Sequence, residues 1–70
     1  MIRFRTETTL QVITEFDKEN DNIVDEVETT FKQGEKVDAD IYSDDGSYVD
    51  IRFADGSIAT SVLKDDIEVM

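Results

Sequence analysis

The chain contains no cysteine, no proline, no histidine and no tryptophan. Without cysteine, no disulfide and no zinc–thiolate site can reinforce a small core. Without histidine and cysteine, the usual nucleophile–base pairs and transition-metal sites are missing. No segment approaches the ~18 consecutive apolar residues of a membrane-spanning helix. The opening Met1-Ile2-Arg3-Phe4-Arg5 is not the continuous apolar stretch of a signal peptide. Positive charge is scarce as well. Seven Lys and Arg stand against 18 Asp and Glu, a net charge of −11 over 70 residues. A bilayer surface or a nucleic acid would repel such a chain. The expectation is an acidic cytoplasmic protein that touches neither membrane nor nucleic acid directly and whose partners are cations. Carboxylate-pair catalysis needs a pocket that so short a chain struggles to form beside a core. No enzyme and no cofactor is therefore expected.

What is present points to a folded chain. Hydrophobic residues make up 39% of the sequence, and they are patterned and rich in β-branched types, unlike a disordered acidic tail. Residues 1–70 read as a single domain. A lone core of this size has only ~3–5 kcal/mol to spare, and homodimerisation is a common remedy. In the first segment Ile2, Phe4, Thr6, Thr8, Leu10, Val12, Thr14 and Phe16 alternate with Arg3, Arg5, Glu7, Thr9, Gln11, Ile13 and Glu15. That is the period of a long or twice-broken strand. In the second, Ile23, Val27 and Phe31 recur every four residues behind a capping Asp21 or Asn22, and Gly34 follows. This spacing predicts a short helix over about 22–32, although the same residues also alternate as a strand.

The third segment reads as an antiparallel meander. Val37, Ala39 and Ile41 alternate with Asp38, Asp40 and Tyr42; Val49, Ile51 and Phe53 alternate with Tyr48, Asp50 and Arg52. Matching the apolar faces pairs Ile41 with Val49, Ala39 with Ile51 and Val37 with Phe53 across an Asp44-Asp45-Gly46 loop. A two-residue Asp55-Gly56 loop then pairs Phe53 with Ile58 and Ile51 with Thr60. Lys64-Asp65-Asp66 turns the chain into a last short strand, Ile67 to Val69. The expected class is a small, β-rich α+β fold.

From Gly34 to Val69 the order of strands and Asp-Asp-Gly and Asp-Gly turns resembles the SH3-like barrels of Tudor and KOW modules. The resemblance implies an SH3-like C-terminal half serving as a protein-interaction module. Tudor domains hold methylated side chains in aromatic cages, and Tyr42 and Tyr48, opposed in the expected register, would give two walls. The plainer reading is a cross-strand aromatic pair.

The same register sets out the acids. Asp38 would oppose Arg52, while Asp40 would oppose Asp50 at a cost of up to ~1 kcal/mol. Asp44 and Asp45 would sit at the hairpin tip. Glu15, Asp17, Glu19, Asp21, Asp25, Glu26 and Glu28 form a second cluster around Lys18. Alternate residues on a strand lie roughly 6.6 Å apart, comparable with neighbouring phosphates on a nucleic-acid strand. Rows of carboxylates so spaced could fill the basic groove of a DNA-binding protein through charge-assisted bonds to Lys and Arg. The candidate partner-binding residues are therefore Asp38, Asp40, Asp44, Asp45, Asp50 and the seven acids of the second cluster. The alternative is a solvated surface that aids solubility.

Size, charge, absence of catalytic groups and a single acidic domain together resemble the small DNA-mimic proteins of bacteriophages, among them inhibitors of the histone-like nucleoid protein HU. The resemblance is to a profile, not to a motif. It implies a homodimer in the bacterial cytoplasm that covers the DNA-binding surface of an HU-like protein and displaces the chromosome.

One rival remains. Residues 17–28 resemble an EF-hand loop, with Asp17, Glu19, Asp21, Asp25 and Glu28 at ligand positions and the Ile23 carbonyl between them. Glu19 is a methylene too long for its place, and Asn22 stands where the family has glycine.

Overall fold

The computed structural model describes all 70 residues. Eight strands run in chain order: β1 (Ile2–Phe4), β2 (Thr8–Asp17), β3 (Asn22–Phe31), β4 (Lys36–Val37), β5 (Ala39–Asp44), β6 (Tyr48–Phe53), β7 (Ile58–Leu63) and β8 (Ile67–Val69). The only helical element is a single 3-10 turn, Lys64–Asp66. Two antiparallel sheets result, one of order β4-β1-β8 and one of order β3-β2-β7-β6-β5. The α+β expectation gives way to an all-strand chain, while the β-rich meander is present.

The alternating first segment breaks once, at 5–7. β1 then leaves to pair with β4 and β8, and β2 continues into the larger sheet. The expected helix at 22–32 is strand β3, paired with β2 along its length. The residues explain why. Ile23, Val24, Val27, Thr29 and Thr30 are β-branched, a composition that loses side-chain freedom in a helix and favours a pleated partner. The polar run that looked like a helix cap is a tight turn. The Asp17 carboxylate accepts the N–H groups of Glu19 (3.0 Å) and Asn20 (3.3 Å), and Asp21 takes the left-handed conformation at φ 56°.

Both hairpin registers differ from expectation. Ala39 faces Phe53, Ile41 faces Ile51, and a bulge at Tyr42 brings Ser43 opposite Asp50. Val37 pairs not with Phe53 but with Ile2. Face matching fixes only the parity of a pairing, so a shift of two residues leaves every inward side chain inward. The turn between β5 and β6 has Asp44 accepting the Gly46 N–H (2.8 Å) and Asp45 accepting the Tyr48 N–H (2.8 Å). Gly46, at φ 104°, takes the left-handed role expected of it. In the second hairpin Arg52 faces Ile58 and Ile51 faces Ala59. The loop is one residue longer than expected because the Phe53 N–H reaches the Ser57 carbonyl (2.8 Å).

The core lies between the two sheets. Ile2, Phe4, Phe31, Val49, Ile51, Val62 and Ile67 fill it with Val12, Ala39 and Ala59. Phe31 stacks between Phe4 (4.4 Å) and Phe53 (5.8 Å), tying β3 to β1 and β6. β2 meets β7 only at Val12 and Ile13, so the far half of the β2–β3 hairpin projects as a two-stranded ribbon. Asn22 to Glu28 are all exposed.

Candidate functional site: two acidic margins on one sheet

Cross-strand pairing defines a row across the outer face of the five-stranded sheet. Glu26 on β3 faces Ile13 on β2, Ile13 faces Ile58 on β7, Ile58 faces Arg52 on β6, and Arg52 faces Asp40 on β5. The middle of the row is Ile13 and Ile58 with Arg52 beside them, and its ends are acidic. Strands are spaced ~4.8 Å apart, so the two ends lie at most ~19 Å apart. Each margin carries a pair two residues apart in the chain: Glu26 and Glu28 on β3, and Asp38 in the bend before β5 with Asp40 on it. Between the margins runs a shallow groove of about 270 Å³, lined by Ile13, Phe16, Tyr42, Arg52 and Ile58 together with Lys18. Arg52 lies over the Tyr42 ring, 5.8 Å from its centre.

The acids named from sequence fall into separate places. Glu15, Asp17, Glu19, Asp21, Asp25, Glu26 and Glu28 come together on the β2–β3 ribbon. No Lys or Arg lies between Lys18 and Lys32, while five acids do. Asp38 and Asp40 form the opposite margin. Asp44 and Asp45 sit at the far end of β5, away from both margins, and the Lys64 ammonium grips Asp44 at 2.8 Å. That hydrogen bond holds the Asp44 carboxyl below its usual range and raises Lys64 in turn. Asp50 is engaged within the sheet. Its carboxylate accepts the N–H of Ser61 (3.0 Å), the left-handed residue (φ 57°) of a bulge in β7. The expected clash of Asp40 with Asp50 does not exist, because Asp40 faces Arg52. Arg52 therefore faces Asp40 and not Asp38.

Of the 18 acids only Asp44 and Glu68 make an ion pair, so sixteen carboxylates have none. None of the 18 is buried. Four of the seven cations cluster, while Lys18 and Arg52 line the groove and Lys64 holds Asp44. Arg3, Arg5, Lys32 and Lys36 gather where the 32–35 loop packs on β1. There the Arg3 guanidinium grips Glu68 with two bonds (2.8 and 2.9 Å) and lowers its pKa. Asp17 is lowered by the Asn20 side-chain amide (2.7 Å) and by backbone N–H groups. Asp55 is lowered by the Ser57 hydroxyl and N–H.

Two sequence readings fail here. Residues 17–28 form a turn and then a strand, so Asp17, Glu19, Asp21, Asp25 and Glu28 do not wrap a common centre. No three carboxylates converge as a metal site would require. Tyr42 and Tyr48 do not oppose each other: Tyr42 is the bulge residue beside Arg52, and Tyr48 faces Leu63. Neither an aromatic cage nor a cross-strand tyrosine pair forms.

The sequence reading missed the groove. Its one signal was Ile13, an apolar residue on the polar face of the first strand, now 8% exposed. No protein family, no curated protein and no solved structure matches the chain.

Proposed function

We propose that this protein is a DNA mimic: a binding protein, not an enzyme, that occupies the basic DNA-binding surface of an HU-like nucleoid protein and keeps it from DNA. The observation that carries this reading is the pair of acidic margins on one face, flanking a groove in which Arg52 and Lys18 lie among apolar side chains. A duplex presents two anionic backbones on either side of a groove ~12 Å wide. Here two carboxylate pairs hold comparable positions, with unpaired charge available for Lys and Arg. Docking would release the basic partner's own counter-anions, as DNA does, and so lose strength steeply with salt. A solubility surface alone would not require one ribbon with seven acids around a single Lys18 and a cation-rich opposite end.

The finer fold reading, an SH3-like barrel in the C-terminal half, belongs to the same proposal. Five short strands, a one-turn break before β8 and two sheets around one core support it. Assembly as a homodimer in the bacterial cytoplasm belongs to the same proposal. Self-repulsion is least at the cation-rich end, where Met1, Val69 and Met70 are exposed, and we place the second copy there. Sedimentation at low and moderate salt tests this, a monomer at both removing it.

Gel-shift competition tests the function. Micromolar protein should release HU from a DNA duplex at moderate salt, with a dose that rises with ionic strength. Undiminished HU–DNA bands under those conditions would sink HU as the target.

A further inference from the structure

β3 is an edge strand of ten residues. It pairs with β2 on one side, and nothing in the chain pairs with the other. Half of its main-chain N–H and C=O groups therefore point away from the sheet, a template for another strand. Native proteins usually shorten or cover such an edge. Here it is long, and it carries exposed apolar side chains as well: Ile23 at 51%, Val24 at 56% and Val27 at 49%.

The side chains specify what could lie beside it. Glu26 and Glu28 share the outer face with Ile13 and Gln11, and Val27 shares the core-side face with Val12. A strand added at this edge would place alternate side chains against those two faces. One set meets carboxylates and the other meets a valine. A second copy fits poorly, because the two antiparallel registers of β3 with itself that keep each side chain on its own face and overlap most of the strand set Glu26 against Glu26 or against Glu28 of the other copy. Like charges opposed across a ladder destabilise it.

We infer that the β3 edge captures, by strand addition, an extended segment of a basic protein in which Lys or Arg alternates with apolar residues. This rests on the basic partner proposed above and names how it is gripped. Main-chain bonds supply adhesion, while the acid–apolar alternation of β3 selects sequence. Charge alone would select neither an extended conformation nor a period of two.

The probe is a blocked ten-residue peptide of alternating lysine and valine, with the same peptide methylated at every backbone nitrogen as its partner in the test. Both carry the same charge. Calorimetry and amide hydrogen exchange are read on the full chain. The unmodified peptide should slow exchange at alternate residues of β3, and methylation should weaken binding at least tenfold. The double variant E26Q/E28Q should weaken the unmodified peptide several-fold, while D44N/D45N leaves it unchanged. Equal binding of the two peptides, no binding of either, or β3 amides already protected by self-association would each overturn the inference. The gel shift separates this result from the function: HU displacement without β3 protection leaves the mimic standing and removes strand addition. Peptide capture without HU displacement does the reverse.

Discussion

Replacing Asp50 with alanine should destabilise the protein, although the general electrostatics predict the opposite. The parent carries eleven excess negative charges, so deleting an acid relieves self-repulsion and should raise stability slightly. Asp50 differs because its carboxylate accepts the Ser61 N–H at 3.0 Å. Ser61 is held at φ 57°, a conformation that costs a non-glycine residue ~1–2 kcal/mol. Losing that bond should cost about 1 kcal/mol, at the partly exposed end of the range for a hydrogen bond. For a domain of this size 1 kcal/mol lowers Tm by about 4–8 °C. Asp50→Asn keeps an acceptor oxygen and should lose less. In a Ser61→Gly background the cost of Asp50→Ala should shrink, because glycine holds the left-handed backbone without help. Glu26→Gln is the control: Glu26 is exposed on the ribbon, and its Tm should stay level or rise. Thermal melts read the parent and the five variants, and gel shifts read inhibition at equal folded fraction. Asp50→Ala should compete for HU as well as the parent. A variant at least as stable as the parent, or one crippled in competition while folded, refutes the assignment of Asp50 to the scaffold.

Other predictions follow from the same geometry. Phe31→Ala removes the middle ring of a three-ring stack; its cost of ~3–5 kcal/mol matches the whole margin of so small a core, so circular dichroism should show a largely unfolded chain at 25 °C. Raising salt from about 0.05 to 0.5 M shortens the Debye length several-fold and should raise Tm by several degrees; a flat or falling Tm would contradict self-repulsion. Asp17, Asp44, Asp55 and Glu68 have folded pKa values below their ordinary 3.8 and 4.5. Their stabilisation is complete above those ordinary values and is lost as pH falls through the lowered ones. Melts should therefore weaken below about pH 4, and Asp55→Asn should flatten that acid limb.

Much of the strand content was legible because period-two alternation is local. Ile2 to Val12 and Val37 to Phe53 carry it in plain order, and Gly46 and Asp55-Gly56 mark the turns, whereas in β7 the inward residues are Ala59 and Val62 rather than the expected Ile58, Thr60 and Val62. Register was not legible, because it depends on bulges. Tyr42, Thr14, Val24 and Ser61 lie where the pairings slip, and nothing in their residue types announces an extra position. A turn centred on Gly46-Ser47 rather than Asp45, together with the bulge at Tyr42, moved Asp40 from Asp50 to Arg52 and removed the apparent clash. β3 failed for another reason. Ile23, Val27 and Phe31 satisfy both a four-residue and a two-residue period, and only the availability of β2 decides between them. The acidic ribbon was legible as a cluster in the chain. Its opposite margin at Asp38 and Asp40 was found only because the sheet order puts β3 and β5 at opposite edges.

Those two edges bear on why so small a protein tolerates so much unpaired charge. A ten-residue edge strand with exposed Ile23, Val24 and Val27 is an aggregation hazard. Charged residues on the edge are the usual protection, and β3 carries Asp25, Glu26 and Glu28 there. The acids that would repel another copy of β3 are the same acids that would attract the proposed basic chain. A neutral ribbon would polymerise, and a covered ribbon could grip nothing. Neutralising the ribbon with E26Q/E28Q should therefore raise monomer stability by lowering repulsion, yet promote self-association at high concentration. Light scattering of the variant against the parent, at low salt and matched concentration, reads this directly. Equal scattering from the two would mean that the ribbon's charge does not guard its edge, and that the carboxylates are there for solubility alone.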